Sequence, residues 1–214
     1  MGNAKRTSRT KAFFPPRRHL AWLGLLMLAA CTPTGERTQL SVGYYGISGR
    51  SFEELDHQIS QHGPSVAGAG RALAATNVRM MPDFRFAQNP EGCRVTKATV
   101  LVKAHVTLPR LASSSELRQG LSHAWSNLEE YARLHEAVHV SIADRYALLA
   151  EERVLALPPE SDCAGMRTSA MNDFKQLMVE HQREQLQFDE DEKLRIHSLV
   201  NRTREGASLQ AAVE

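Results

Sequence analysis

The sequence contains few of the features that define several common protein classes. It has three cysteines in 214 residues, and neither Cys93 nor Cys163 has the spacing of a zinc ligand. It has no internal repeat or low-complexity segment, so nothing indicates a repeat array. The apolar run Leu20–Ala30 is too short to span a bilayer as a stable helix. Proline and glycine are absent from residues 121–157, which favours one long helix there.

The first thirty residues have the composition of a secretion signal. Six basic residues and no acidic residue precede the end of the apolar run: Lys5, Arg6, Arg9, Lys11, Arg17 and Arg18. Residues 28–31, Leu-Ala-Ala-Cys, match the bacterial lipobox, which predicts cleavage before Cys31 and lipidation of its thiol. The alternatives are an ordinary signal peptide cut near Ala30 or an uncleaved anchor. We expect a lipid-anchored protein of the bacterial cell envelope, and Thr32 after the cysteine favours the periplasmic face of the outer membrane.

Loss of residues 1–30 would change the net charge of the chain. The whole sequence has 26 Lys and Arg against 24 Asp and Glu. Six of the basic residues lie in the signal, so the mature chain has 20 against 24, a net charge of −4. This balance gives no case for a nucleic-acid partner. We expect residues 31–37 to form a tether, residues 38–197 one domain, and residues 198–214 a flexible tail.

The first half of the domain has the pattern of strands. The predicted elements are a strand at Leu40–Ile47, a short helix from a capping box at Ser51 to Gly63-Pro64, a loop at Val66–Ala75, a strand at Asn77–Phe86 and a long strand at Cys93–Leu108. Pro82 predicts that the Asn77–Phe86 strand lies at a sheet edge. The long strand alternates apolar and polar residues up to Pro109, which is typical of an antiparallel sheet covered on one face. His105 falls on its polar face, where we expect a solvated side chain.

The second half predicts two long helices. The first begins at a capping box, Ser113–Glu116, and runs to about Leu157, with one break near Gly120 or Tyr131 left open. Its apolar residues recur at steps of three and four and predict its inner face: Tyr131, Leu134, Val138, Ile142 and Leu149. The second helix runs from Cys163 to about Ile196. Strands followed by helices indicate an α+β fold, with a small antiparallel sheet followed by long helices.

The first of these helices contains the motif His-Glu-x-x-His at residues 135–139. Residues four apart share one helix face, so His135 and His139 can point at one ion. Zinc takes neutral imidazole nitrogens, and Glu136 would then act as the general base on the zinc-bound water. Chance gives only about 0.03 such matches in a chain of this composition. The alternative is a solvated helix face with two unrelated histidines.

A catalytic zinc needs a third ligand from another element. By the rise of a helix, Asp144 lies about 7.5 Å and Glu151 about 18 Å along from His139, so we exclude both, and Glu152 with them. The last helix offers four candidates: His181, Asp189, Glu192 and His197. In an oxidising compartment we also expect Cys93 and Cys163 to form a disulfide, with two buried free thiols as the alternative.

Several further residues carry a family resemblance over residues 38–197. They are Tyr44-Tyr45, Gly63-Pro64, Cys93, Leu108-Pro109, Trp125 before the motif, Cys163, and Phe188-Asp189. With them the chain resembles a bacterial family of predicted secreted zinc-dependent proteases, itself a domain of unknown function. The resemblance implies a zincin-like fold with the motif on a helix. Members of that family often continue with Thr and then His-Gly, whereas this chain has Glu192 and then Leu194-Arg195.

That departure removes one candidate ligand, and we favour Asp189 as the third ligand with His181 as the alternative. The resulting hypothesis is a Zn²⁺-dependent peptidase of the cell envelope. It would hydrolyse a peptide or protein held by strand addition along the Cys93–Leu108 strand or a neighbouring edge. The alternative is a non-catalytic envelope lipoprotein with a zincin fold that binds a partner or a metal.

Overall fold

The computed structural model describes residues 37–66, 70–112 and 119–211. The predicted signal, Cys31, most of the predicted tether and the capping box at residues 113–116 lie outside these ranges. The elements are β1 Thr38–Ile47, α1 Phe52–His62, β2 Ser65–Val66, β3 Gly70–Arg71, β4 Ala75–Asn89, β5 Gly92–Leu111, α2 Gln119–Leu155 and α3 Cys163–Ala211. The α+β class, with a small sheet followed by long helices, is confirmed. None of the helices in the described ranges has the length and hydropathy of a membrane span.

The main sheet has the strand order β1-β5-β4, and it is mixed rather than antiparallel as predicted. β4 and β5 form an antiparallel hairpin, whereas β1 pairs in parallel with the other edge of β5, from Thr38 opposite Val102 to Ile47 opposite Leu111. Alternation of side chains reports only which face a residue occupies, so it does not reveal the direction of a strand remote in sequence. The segment predicted as a loop at Val66–Ala75 contains β3 and the last residue of β2, and these two strands pair with each other.

Pro109 does not end β5, which continues to Leu111. The amide nitrogen of Val102 donates to the Arg37 carbonyl on the β1 side. Successive residues point to opposite sides of a strand, so the nitrogen of residue 109 faces β4. The pairing of β4 with β5 stops at Thr107. At residue 109 there is therefore no β4 carbonyl to accept a hydrogen bond, and the missing N–H of Pro109 costs nothing. Pro82 is tolerated for a similar reason. β4 is an edge strand, as predicted, and residue 82 directs its nitrogen to the open edge, where no neighbouring strand needs a donor.

Helix α2 packs on the sheet through small side chains. Its inner stripe consists of buried residues at helical spacing: Ala132, Glu136, Ala143, Ala147 and Ala150. The predicted inner face was therefore partly wrong, since Leu134 is 56% exposed and Val138 is 38% exposed. Ala143, Ala147 and Ala150 let the helix axis lie close to Val100 and Val102 of β5, with which they share one core cluster. Larger side chains at those positions would hold the helix away from the sheet.

The two long helices are continuous and tied to the sheet. α2 has no break at Gly120 or Tyr131, and α3 extends past the predicted end into the predicted tail. Cys93 and Cys163 are paired at disulfide geometry with 5.1 Å between their Cα atoms, as predicted. The start of α3 therefore lies against the start of β5.

Glu151 is engaged in the fold, in line with its exclusion as a ligand. Its carboxylate accepts hydrogen bonds from Arg37 Nε at 3.1 Å and Nη2 at 3.0 Å, and from the Val100 amide at 2.8 Å. β1 pairs with β5 only from Val102 onward, so the Val100 amide, which points to the same side, has no strand partner. The Glu151 carboxylate accepts its hydrogen bond instead. The contact also fixes Arg37, the last residue of the predicted tether, to the domain.

Candidate metal centre

Three potential ligand atoms from α2 and α3 meet at one point. They are Nε2 of His135, Nε2 of His139 and Oδ1 of Asp189, and we call them the triangle. Nε2 of His139 lies 3.1 Å from Nε2 of His135 and 3.0 Å from Oδ1 of Asp189. Nε2 of His135 lies 3.2 Å from the same carboxylate oxygen. These residues are the one group of at least three His, Cys, Asp or Glu side chains in the described ranges with metal-binding proximity. The structure thus brings Asp189 to the two motif histidines.

The packing of α3 on α2 produces this meeting. Phe174 and Leu177 of α3 belong to the same core cluster as Ile142 and Tyr146 of α2. Further along α3, the ring of Phe188 lies 4.7 Å from the His135 ring and 5.1 Å from the His139 ring. An aromatic residue therefore fills the space beside both imidazoles, and the next residue, Asp189, reaches their nitrogens.

The donor set fits a zinc ion. Two imidazole nitrogens and one carboxylate oxygen are ligands that zinc takes at catalytic sites, with a fourth position left open. Tetrahedral zinc with bonds of about 2.0–2.1 Å separates its ligand atoms by about 3.3 Å, close to the three separations found here. The His135 and His139 side chains are only 19% and 13% exposed, whereas Asp189 is 47% exposed. The centre is thus accessible to solvent from the carboxylate side.

Gln185 forms hydrogen bonds with His139 on the side of the imidazole away from Nε2. Its Nε2 lies 3.0 Å from the His139 carbonyl oxygen and 2.9 Å from His181 Nε2. With the amide hydrogens donated to those two acceptors, Gln185 Oε1 accepts from His139 Nδ1 at 2.5 Å. A hydrogen on Nδ1 leaves the Nε2 lone pair of His139 free for a metal.

His181 is linked to the site through Gln185 and lies against the ring of Tyr146. Burial lowers the pKa of His181 despite the opposing charge of Glu184, and the nearby His139 lowers it further, which suits a neutral acceptor. His181 therefore contributes no atom to the triangle formed by His135, His139 and Asp189. Gln185 was missed by sequence reasoning, although it lies four residues from both His181 and Asp189 on one helix face.

His135 is oriented by rings rather than by a hydrogen bond. Its imidazole lies 4.7 Å from Phe188 and 6.0 Å from Tyr131 between ring centres. Its Nδ1 is buried and has no hydrogen-bond partner among the described residues. The two imidazoles are thus supported differently, one by packing and the other by an amide.

Glu136 points from α2 toward β4, one residue around the helix from the ligand face. It is only 4% exposed, and it is the one charged residue in the buried class among the described residues. Thr76 of β4 donates its hydroxyl to Glu136 Oε2 at 2.7 Å. A buried carboxylate needs such a partner, and Thr76 was not anticipated from the sequence.

A pocket of about 180 Å³ lies beside both Glu136 and the ligand residue His135. Its lining residues are Leu73, Ala74, Tyr131, Ala132, His135 and Glu136. The same cavity wall therefore contains one member of the triangle and the buried carboxylate. A small molecule or a substrate segment in this pocket would contact both.

Glu192 is engaged beside this pocket and lies outside the triangle. Tyr131 donates its hydroxyl to Glu192 Oε2 at 3.0 Å, while Arg195 holds both carboxylate oxygens at 2.8 and 2.6 Å. The hydrogen bonds from Arg195 hold the pKa of Glu192 below its ordinary value, and burial with the Glu192 contact raises the pKa of Tyr131. The side chain of His197 lies outside the described residues.

Two other excluded residues have their own partners. Asp144 accepts a hydrogen bond from Thr38 of β1. His105 is exposed on the uncovered sheet face, 2.9 Å from the Ser41 hydroxyl, which confirms the expected solvated position.

Comparison with known proteins identifies a family. A profile of bacterial proteins of unknown function, DUF922, matches residues 42–198. The chain belongs to this family. The matched range contains the whole triangle, the buried Glu136 and both paired cysteines, and the family description itself assigns no activity. No significant match was found among curated proteins or among solved structures.

Proposed function

We propose that this DUF922 protein is a zinc-dependent peptidase of the bacterial cell envelope, anchored by lipid on Cys31. The observation that carries the proposal is the triangle of His135, His139 and Asp189 next to a pocket that also contains Glu136. Two histidine nitrogens and one carboxylate as ligands, with a second carboxylate nearby that is not a ligand, form the arrangement used in metal-assisted hydrolysis. A zincin-like fold is part of the same proposal.

Each residue has a role in this scheme. His135, His139 and Asp189 would hold the ion, which when bound lowers the pKa of water and polarises a carbonyl. Glu136 accepts a proton from the attacking water and returns it to the leaving amine nitrogen. Thr76 donates to one oxygen of Glu136 and so sets the direction of its carboxylate.

The open edge of β4 is the proposed binding site for an extended peptide. β5 is central and paired on both sides, so the available edges are those of β1 and β4. We choose β4 because its Thr76 contacts Glu136. Thr76, Val78 and Met80 direct their backbone N–H and C=O groups to that edge, by the pairing pattern of β4 with β5. A peptide added there would pass Thr76, whose side chain already touches Glu136.

The test compares wild type with Glu136→Gln on a peptide library in the presence of zinc. Loss of a general base lowers the cleavage rate by roughly 10²–10⁴-fold. Glu152→Gln is a matched control, since Glu152 is exposed on the same helix and makes no described ion pair. Equal cleavage by Glu136→Gln and wild type would refute the mechanism. Zinc binding at one equivalent without cleavage of any peptide would favour the non-catalytic alternative.

A further inference from the structure

One face of the main sheet carries an excess of positive charge. α2 and α3 cover the face formed by the even-numbered residues of β5, such as Val100 and Val102. The opposite, uncovered face is formed by odd-numbered residues of β4 and β5. Four exposed basic residues lie on it, and we call them the basic sheet face: Arg79, Arg85, Lys97 and Lys103. The one acidic residue among residues 77–85 and 97–107 of that face, Asp83, is paired with Arg85.

The register places like charges directly opposite each other. Arg79 is paired with Lys103, and Arg85 with Lys97, across the β4–β5 ladder. Like charges in opposed positions destabilise a sheet. Arg79, Lys97 and Lys103 form no ion pair with any described residue. The chain has 24 Asp and Glu, yet none of those among the described residues forms an ion pair with these three side chains.

The basic sheet face is also concave at one end. A depression of about 400 Å³ is lined there by hydrogen-bond donors on the three strands: Gln39, Ser41, Asn77, Arg79, Lys103 and His105. A depression with two cations and several neutral donors suits a phosphate group of a larger anionic surface.

The predicted tether ends beside this depression. Arg37 is fixed to Glu151, and Gln39, only two residues later, lines the depression. The six residues from Cys31 to Arg37 span at most about 20 Å when fully extended. If lipid is attached at Cys31, Arg37 is held within that distance of a bilayer surface, and the end of the basic sheet face that contains Arg79 and Lys103 lies next to it.

We propose that the basic sheet face lies on the anionic headgroups of the membrane that anchors the protein. Juxtamembrane Lys and Arg side chains are attracted to anionic lipid, and the contact would add a second attachment to the lipid chain. α2 and α3 lie on the other face of the sheet, so the metal centre would face away from the membrane. The inference rests on the proposed lipid anchor at Cys31, but it does not depend on the peptidase activity.

The test uses the lipidated chain in vesicles of phosphatidylcholine, alone or mixed with phosphatidylglycerol. Acetylation of individual lysines is followed by mass spectrometry. Lys97 and Lys103 should react several-fold more slowly in the anionic vesicles, and high salt should remove the difference. Lys175 and Lys193, exposed on α3, are internal controls that should react equally in both.

A pair of variants makes the result specific. Arg79→Gln with Arg85→Gln should lower the ratio of docked to undocked protein on the order of 25-fold, since each basic residue contributes roughly fivefold. Lys175→Gln with Arg183→Gln removes the same charge from α3 and should change nothing. Equal acetylation of Lys97 in both vesicle types would overturn the proposal. Protection by soluble polyglutamate but not by anionic vesicles would also overturn it and assign the face to an acidic protein.

Discussion

Replacing Gln185 tests whether the amide behind His139 prepares it for a metal. In Gln185→Ala the acceptor for His139 Nδ1 disappears, although the imidazole remains only 13% exposed. Metal on Nε2 forces the hydrogen onto Nδ1, where it would be buried without a partner. An unsatisfied buried donor costs about 1–3 kcal/mol, which corresponds to a loss of metal affinity of about 5- to 150-fold. This range includes the loss of about 10- to 100-fold that is typical when a residue that orients a metal ligand is replaced.

Two companion variants separate the contacts of Gln185. Gln185→Glu keeps an acceptor for Nδ1 but loses both donated bonds, so it should retain most of the affinity. His181→Ala removes only an acceptor for the amide and should leave the metal in place. Gln182→Ala, exposed on the same helix, is the matched control.

The assay is competition for zinc against a chromophoric chelator, with thermal unfolding to verify that each variant is folded. ¹⁵N NMR of the metal-free protein should show hydrogen on Nδ1 of His139 in wild type and in Gln185→Glu. Unchanged zinc affinity in Gln185→Ala would refute the reasoning, because the amide would then support the fold without preparing the ligand.

Three further predictions follow from the same structure. Asp189→Ala should weaken zinc binding far more than Gln185→Ala, measured by the same competition; an equal or smaller loss would show that Asp189 is not a ligand. Cys163→Ser should lower the free energy of unfolding by about 4 kcal/mol, because the pair closes a loop with a sequence separation of 70. Denaturant titration checks this, and an unchanged midpoint would contradict it. Glu151→Ala should lower the free energy of unfolding, measured in the same way, by about 2 kcal/mol, since the Val100 amide loses its partner. Exposed Glu152→Ala should change stability little, and equal effects of the two would show that the Arg37–Glu151 contact is unimportant.

Local patterns in the sequence were enough to predict the longer strands, the helices and part of the site. Ser51 caps α1 and accepts from the Glu54 amide, as its capping box predicts. The side-chain alternation of β5 correctly identifies its buried face. His135 and His139 could be paired in advance because a spacing of four residues on a helix is a local property. Asp189 came from the family resemblance together with the elimination of residues on α2, and the structure places it beside both imidazoles.

The remaining features depend on how separate elements meet. Apolar periodicity predicted that Leu134 and Val138 lie on the inner face of α2, but both are exposed. The alanine-rich stripe packs on the sheet instead, because small side chains allow the helix to approach more closely. The direction of β1 depends on which edge of the β4–β5 hairpin it joins, and side-chain alternation does not encode that choice.

The sequence by itself therefore determined the helical spacing of the two histidines, the cysteines available for pairing and the residues that alternate along β5. Only the tertiary structure decided that Gln185 supports His139, that Thr76 holds Glu136, and that Arg79 faces Lys103. The physical reason is that spacing within one element follows from the helix or strand repeat. Contacts between elements are set by strand register and helix rotation, which result from the packing of the whole domain.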